Sequence, residues 1–111
     1  MTTEQLADAI ATEVSTHPSV VRLDGGALGT LATYLPRRKI VGVRVTEPDE
    51  PIDIGVVLRL GRRLPEVTGE LRERVRAIAG NVPVNVTVTD VVPASTVDTV
   101  DAVDAKPGAP R

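Results

Sequence analysis

Residues 39–60, KIVGVRVTEPDEPIDIGVVLRL, hold two runs of alternating apolar residues separated by an acidic, proline-containing break. The valines of residues 41–45 fall on one face of an extended chain, and every second residue of 52–60 does the same. The break at residues 47–50 is rich in residues that favour turns. The stretch therefore predicts a β-hairpin with one apolar face.

The turn position also fixes which residues of the hairpin face each other. On the buried side Val45 lies opposite Ile52, so the pairing agrees with both apolar patterns. On the outer side Arg44 lies opposite Asp53, and this ion pair would help to set the register. The remaining outer pairs are Gly42 with Gly55, Ile40 with Val57 and Arg38 with Arg59.

Two amphipathic helices flank the hairpin. Residues 3–16 carry an apolar residue at every fourth position, and either Thr2 with Gln5 or Thr3 alone can cap the start of this helix. Residues 64–79 have a second apolar stripe and end at Gly80. The stripe of the second helix consists of Val67, Leu71, Val75 and Ile78. Glu70 and Arg74 of the same helix are predicted to pair, because they are four residues apart.

The valines of residues 82–88 alternate with polar residues and predict a third strand. The resulting fold class is α+β, a two-layer sandwich in the order α-β-β-α-β, with a three-stranded sheet and both helices on one face. A right-handed crossover places the third strand beside the first strand of the hairpin, with a place beside the second as the alternative. Residues 19–23 are expected to be extended or irregular, and 24–29 to form a flexible connector.

The composition is that of one globular domain. The chain has 111 residues, of which 41% are hydrophobic and 25% charged. We expect a domain over residues 1–93 and a disordered, acidic tail rich in Pro and Gly over 94–111. The net charge of −2 gives no strong attraction to nucleic acid or anionic membrane. The absence of Cys and of a signal-peptide pattern fits a cytoplasmic protein.

The outer face of the sheet is the predicted interaction surface. Two glycines side by side leave a flat patch of backbone that another surface can approach closely, and two apolar side chains are expected to lie exposed beside it. Basic residues are expected to collect at one end of the same face. The predicted partner-binding residues are Arg37, Arg38, Lys39, Ile40, Gly42, Gly55, Val57 and Arg59. The alternative is that a neighbouring loop or the tail of the chain itself covers this face, or that the glycines only relieve a tight bend.

Few residues suit catalysis or metal binding. The single histidine, His17, lies at a helix end before a proline and is expected to be structural or solvated. We therefore predict no catalytic residues, no cofactor and no metal site. Residues 26–29, GALG, match the GxxG loop with which KH domains clamp nucleic acid, but the loop carries no charge. A KH-like single-stranded nucleic-acid-binding domain is the second, less favoured interpretation.

Several segments resemble the alkaline-shock, or envelope stress response, protein family of Gram-positive bacteria. They are DGGALGTLATYLPRRKIVGVRV at 24–45, PIDIGVVLRLG followed by LPEV, and VNVTVTDV at 84–91. The form TYLPRRKIVGVRV is most similar to actinobacterial members. The resemblance implies a non-enzymatic cytoplasmic protein that forms homo-oligomers and is held near the membrane by a partner with transmembrane segments. It implies no catalytic residues.

Overall fold

The computed structural model describes residues 2–93 as two helices and six strands. In chain order they are α1 Thr3–Ser15, β1 Val20–Leu23, β2 Ala32–Tyr34, β3 Lys39–Val41, β4 Val43–Val45, β5 Ile52–Arg59, α2 Leu64–Ala79 and β6 Val84–Val92. The mixed α+β class is therefore confirmed. The predicted tail at 94–111 lies outside the described residues.

Both helices form where the apolar periodicity predicts them. The Thr2 side chain accepts a hydrogen bond from the backbone N–H of Gln5, and the Gln5 side chain accepts one from the N–H of Thr2, which completes a capping box at α1. Helix α2 has the predicted bounds and ends at Gly80, whose φ of 92° is a conformation that glycine adopts at little cost. These helix ends are set by local sequence.

Strand β5 is the centre of the main sheet. One of its edges pairs in parallel with β6 along the whole strand, from Ile52 opposite Val84 to Arg59 opposite Val92. Its other edge is shared, because β4 pairs antiparallel with residues 52–54 and β1 pairs antiparallel with residues 56–58. The hairpin register is confirmed over β4, where Arg44 donates two hydrogen bonds to Asp53 at 3.1 and 2.8 Å.

The predicted three-stranded sheet is wrong, because the first strand of the hairpin is divided at Gly42. This residue has a φ of 87°, so the chain turns there and β3 leaves β5 to pair with β2 in a separate two-stranded sheet. Strand β1 fills the part of the β5 edge that β3 leaves open. The predicted helix at 3–16 and the extended segment at 19–23 are confirmed to within about a residue.

The preferred position of the last strand is also wrong, and the alternative beside the second hairpin strand is confirmed. The edge of β4 that faces away from β5 is already occupied by Thr33 of β2. The Thr33 hydroxyl donates to the carbonyl of Val43 at 2.6 Å and accepts from the N–H of Val45 at 3.0 Å. The free edge of β5 is therefore the place left for β6.

The hydrophobic core lies between the sheet and the two helices. Helix α1 contributes residues including Ile10 and Val14, which are fully buried, and α2 contributes its predicted apolar stripe. The buried members on the strands are Val20, Ile40, Val43, Val45, Ile52, Ile54, Val56, Leu58 and Val84. Aliphatic side chains thus fill this core without an aromatic residue.

Candidate interaction surface

The two glycines predicted to form an open patch lie against the chain's own backbone. The N–H of Gly55 donates to the Gly42 carbonyl at 2.9 Å, and the Gly55 carbonyl accepts from the N–H of Asp24 at 2.8 Å. A Cβ atom at Gly55 would lie 2.3 Å from the carbonyl oxygen of Asp24, and one at Gly42 would lie 2.7 Å from Cβ of Leu23. The glycines do allow a close approach, but the approaching segment runs from β1 into the following loop.

Ile40 and Val57 are buried, so the prediction that they are exposed is wrong. Ile40 is 8% exposed and belongs to the core, because β3 pairs with β2 and no longer continues the hairpin. Val57 is fully buried between Arg22 of β1 and Asp90 of β6, at an irregularity in the β5–β6 ladder. With both glycines covered, the apolar half of the predicted surface is not available to a partner in this structure.

The predicted basic residues do not form one cluster. Arg38 binds Glu4 and Asp8 on α1 at 3.1 and 2.6 Å, and these carboxylates raise the pKa of its guanidinium further above the ordinary value. Arg59 instead donates to the carbonyl of Pro18, beyond the other end of α1. At 1.5 Å per residue, α1 extends about 10 Å beyond Asp8, and Pro18 lies after its end, so the two arginines contact different parts of the chain. The expected pairing of Arg38 with Arg59 is wrong.

A different surface is exposed around the only tyrosine. Leu28, Tyr34 and Val41 are 87%, 66% and 41% exposed. The Tyr34 hydroxyl lies 3.5 Å from the Gly29 carbonyl, and the ammonium of Lys39 sits 5.7 Å from the centre of the Tyr34 ring. We call Leu28, Tyr34, Lys39 and Val41 the tyrosine patch.

The tyrosine patch continues into a basic loop between β2 and β3. Arg37 and Arg38 are exposed there and line a shallow depression of about 210 Å³ with Glu4, Leu35 and Pro36. Arg38 is held by the carboxylates of α1, whereas Arg37 makes no ion pair with any of the residues that the structure describes. The tyrosine patch and the adjoining loop together therefore combine exposed apolar side chains with the positive charges of Lys39 and Arg37.

His17 is the buried member of a polar cluster that ties the end of α1 to α2, and its partners Glu70 and Arg62 are exposed. The side chain is 2% exposed, and its Nε2 lies 2.8 Å from Oε1 of Glu70. Glu70 also accepts two hydrogen bonds from Arg62, at 2.9 and 2.5 Å. The predicted pairing of Glu70 with Arg74 is wrong, because Arg74 reaches across to Glu13 at 3.4 Å.

Both ring nitrogens of His17 are engaged. Nδ1 accepts a hydrogen bond from the backbone N–H of Ser19 at 3.0 Å. Because a neutral imidazole has one acceptor and one donor nitrogen, Nε2 is the donor to Glu70. A general base needs a nitrogen that can take a proton from a substrate, and neither nitrogen is placed to do so. The prediction that His17 is structural is confirmed. Its burial excludes the alternative that the side chain is solvated.

The pKa of Glu70 predicts how stability depends on pH. Hydrogen bonds from Arg62, and then from His17, lower this pKa from 4.5 to about 2. A carboxylate with a lowered pKa stabilises the fold above its ordinary pKa, and this contribution is lost as the pH falls through the folded-state value. We therefore expect Glu70→Gln to lose less stability than the wild type between pH 4.5 and 2. Thermal unfolding at each pH measures this difference.

The matched control for Glu70→Gln is Glu73→Gln on the same helix. Glu73 is 77% exposed in its side chain, and among the described residues its only ion pair is with Arg76, at 3.4 Å. This variant should follow the wild-type pH dependence. Identical pH profiles for Glu70→Gln and the wild type would contradict the assigned cluster.

Sequence reasoning did not select Leu28, Tyr34 and Val41 as a surface. The apolar alternation places Val41 on the buried face of the hairpin, because the sequence does not show that the backbone turns at Gly42. The available signal was Tyr34 itself, the single aromatic residue, two residues before the basic run at 37–39. Its exposure depends on how β2 and β3 fold back, which is not a local property.

The GxxG segment at 26–29 is an exposed turn between β1 and β2. Gly26 and Gly29 have φ values of 82° and 68°, which glycine tolerates. A KH domain places this loop between two helices, and here it connects two strands. The nucleic-acid interpretation therefore gains no support from the position of this loop.

Comparison with protein-family models, curated proteins and solved structures found no match for this chain. Within residues 2–93, no helix combines the length and apolar character required to cross a bilayer. No three His, Asp or Glu side chains in that part of the chain are grouped to hold a metal ion. Positive information about function therefore comes from the exposed surfaces.

Proposed function

We propose that the protein is a small, non-enzymatic scaffold of the envelope stress response type, which binds itself and a membrane-anchored envelope partner. The observation that carries the binding role is the tyrosine patch. Leu28 and Tyr34 are mostly exposed, and the Lys39 ammonium lies over the Tyr34 ring. Among the other large apolar side chains that the structure describes, only Val41 of the same patch and Leu60 are exposed. The envelope setting and the membrane-anchored partner are supported by the sequence resemblance alone.

The chemistry of the patch favours an acidic segment with an apolar anchor as its partner. Tyrosine and arginine are enriched where proteins bind each other, because they combine large contact area with hydrogen-bonding groups. Lys39 above the Tyr34 ring keeps a positive charge next to the apolar contact. We keep Arg37, Arg38 and Lys39 as predicted partner-binding residues. The charge of Arg38 is partly neutralised by its ion pairs with the carboxylates of α1.

A photo-crosslinking amino acid at position 34 tests this function in cells that express the protein. We expect a covalent adduct with a protein of the membrane fraction, reduced about tenfold by Arg37→Glu together with Lys39→Glu, since the charge of the patch is reversed. The same probe at Glu73, which is exposed on α2, is the matched control and should give no such adduct.

Adducts at both positions, or only with proteins outside the membrane fraction, would contradict the proposal.

Titration with single-stranded RNA tests the KH-like alternative. Binding that weakens steeply between low and physiological salt would favour that alternative, because neutralised phosphates release counterions. We expect no binding, since the GALG turn carries no basic residue.

A further inference from the structure

Strand β6 forms one edge of the main sheet. It pairs with β5 on one side, and the described residues place no strand on its other side. The N–H of Ile52 donates to the carbonyl of Pro83 at 2.9 Å, so this carbonyl faces β5. Backbone groups of successive residues alternate between the two edges of a strand, and Val84, Val86 and Val88 therefore direct their N–H and C=O groups away from the sheet.

The segment Val84–Val88 lacks the features with which edge strands usually avoid pairing. It contains no proline, no charged residue and no irregularity in its pairing with β5. Features that hinder edge pairing appear only after Val88. The ladder shifts between Val88 and Asp90, and the N–H of Val91 is occupied by the Asp90 carboxylate at 2.8 Å.

The side chains on this edge are also incompletely covered. Val86 and Val88 pack against the core but are only half-buried, as is Ile78 at the end of α2. On the opposite face, Asn85 and Thr87 are exposed and uncharged. The edge thus offers unpaired backbone groups together with apolar surface at one border of the core.

We infer that a second copy of this chain pairs with it through Val84–Val88, antiparallel and about a two-fold axis at Val86. In this register Val84 meets Val88 of the second copy and Val86 meets Val86, so every outward N–H and C=O of the segment finds a partner. Asn85 meets Thr87, and no like charges face each other. The two sheets become one continuous sheet, and the half-buried valines are covered on the helix side. This surface rests on the self-association proposed above and specifies where it occurs.

The full chain allows a charge test on the outer face, where Asn85 and Thr87 are exposed. Asn85 also donates a hydrogen bond to the Asp53 carboxylate at 2.9 Å, so the fold of each variant is checked separately. One variant carries Asn85→Lys and Thr87→Lys, and the other carries Asn85→Glu and Thr87→Glu. Within each variant the new like charges face each other across the two-fold axis, and we expect self-association to weaken about tenfold or more. An equimolar mixture brings opposite charges together and should restore association. Thr12→Lys with Thr46→Lys adds the same charge at exposed positions away from β6 and is the matched control.

Sedimentation velocity over a range of protein concentrations measures association, and circular dichroism checks that each variant is folded. We expect the wild type and the control to be dimers and each β6 variant alone to be a monomer. The mixture of the two β6 variants should again form dimers. If both folded β6 variants still dimerise, or the mixture stays monomeric, the β6 surface is overturned while self-association stands. If the wild type is monomeric at every concentration, the self-association itself is overturned.

Discussion

The Gly55→Ala variant is expected to lose about 3 kcal/mol of its free energy of unfolding, because its new methyl group has no room. The Cβ atom would lie 2.3 Å from the carbonyl oxygen of Asp24 and 3.0 Å from Cδ1 of Leu31. The first of these atoms is backbone, and Asp24 is held in place by its hydrogen bond to the Gly55 carbonyl. Relief would require β1 to move away from β5. Urea denaturation followed by circular dichroism measures the loss.

Gly69→Ala is the matched control for this substitution. Gly69 lies within α2, where an added Cβ would meet no atom within 4 Å. Alanine favours the helix over glycine by about 1 kcal/mol, so this variant should be more stable than the wild type. A Gly55→Ala protein within about 0.5 kcal/mol of the wild type, the range of neutral surface substitutions, would show that Asp24 does not cross there.

The Thr33→Val variant is expected to be less stable by about 2 kcal/mol. Valine has nearly the same shape as threonine, but it cannot make the hydrogen bonds to the Val43 carbonyl and the Val45 N–H. Thr33 is 4% exposed, so water does not easily replace the hydroxyl. Two backbone groups on the outer edge of β4 would lose their partner. Chemical denaturation of the full chain measures the change.

Thr33→Ser separates the hydroxyl from the methyl group. It keeps both hydrogen bonds and removes one buried methyl, so it should cost about 0.8 kcal/mol. Thr46→Val, at an exposed position after β4, should be nearly neutral. Equal losses for Thr33→Val and Thr33→Ser would contradict the role assigned to the hydroxyl.

Local pattern was sufficient for the helices and for one strand pair. The bounds of α2 follow from its apolar stripe and from Gly80, and the register of β4 with β5 follows from alternation around a short turn. These features depend on residues close together in the sequence. The short strands β1 and β2 lack such a pattern, and for β3, which the sequence predicts as part of the hairpin, the pattern does not show that the chain leaves β5 at Gly42.

The candidate site was harder to predict because it depends on one backbone angle. A sequence shows a glycine at position 42, but it does not show that its φ is positive. That angle turns Ile40 into the core and Val41 toward solvent. The glycine pair correctly indicated that another backbone segment approaches closely. The sequence does not show that this segment is the protein's own loop at Asp24, which is distant along the chain, and not a partner.

The division of one β5 edge between β1 and β4 also bears on how the chain folds. Strand β5 reaches its full set of neighbours only when a segment about thirty residues before it and another about thirty residues after it have both arrived. No half of the chain can therefore complete the central strand by itself. Folding and unfolding of the domain should accordingly be cooperative, with high contact order and without a stable subdomain.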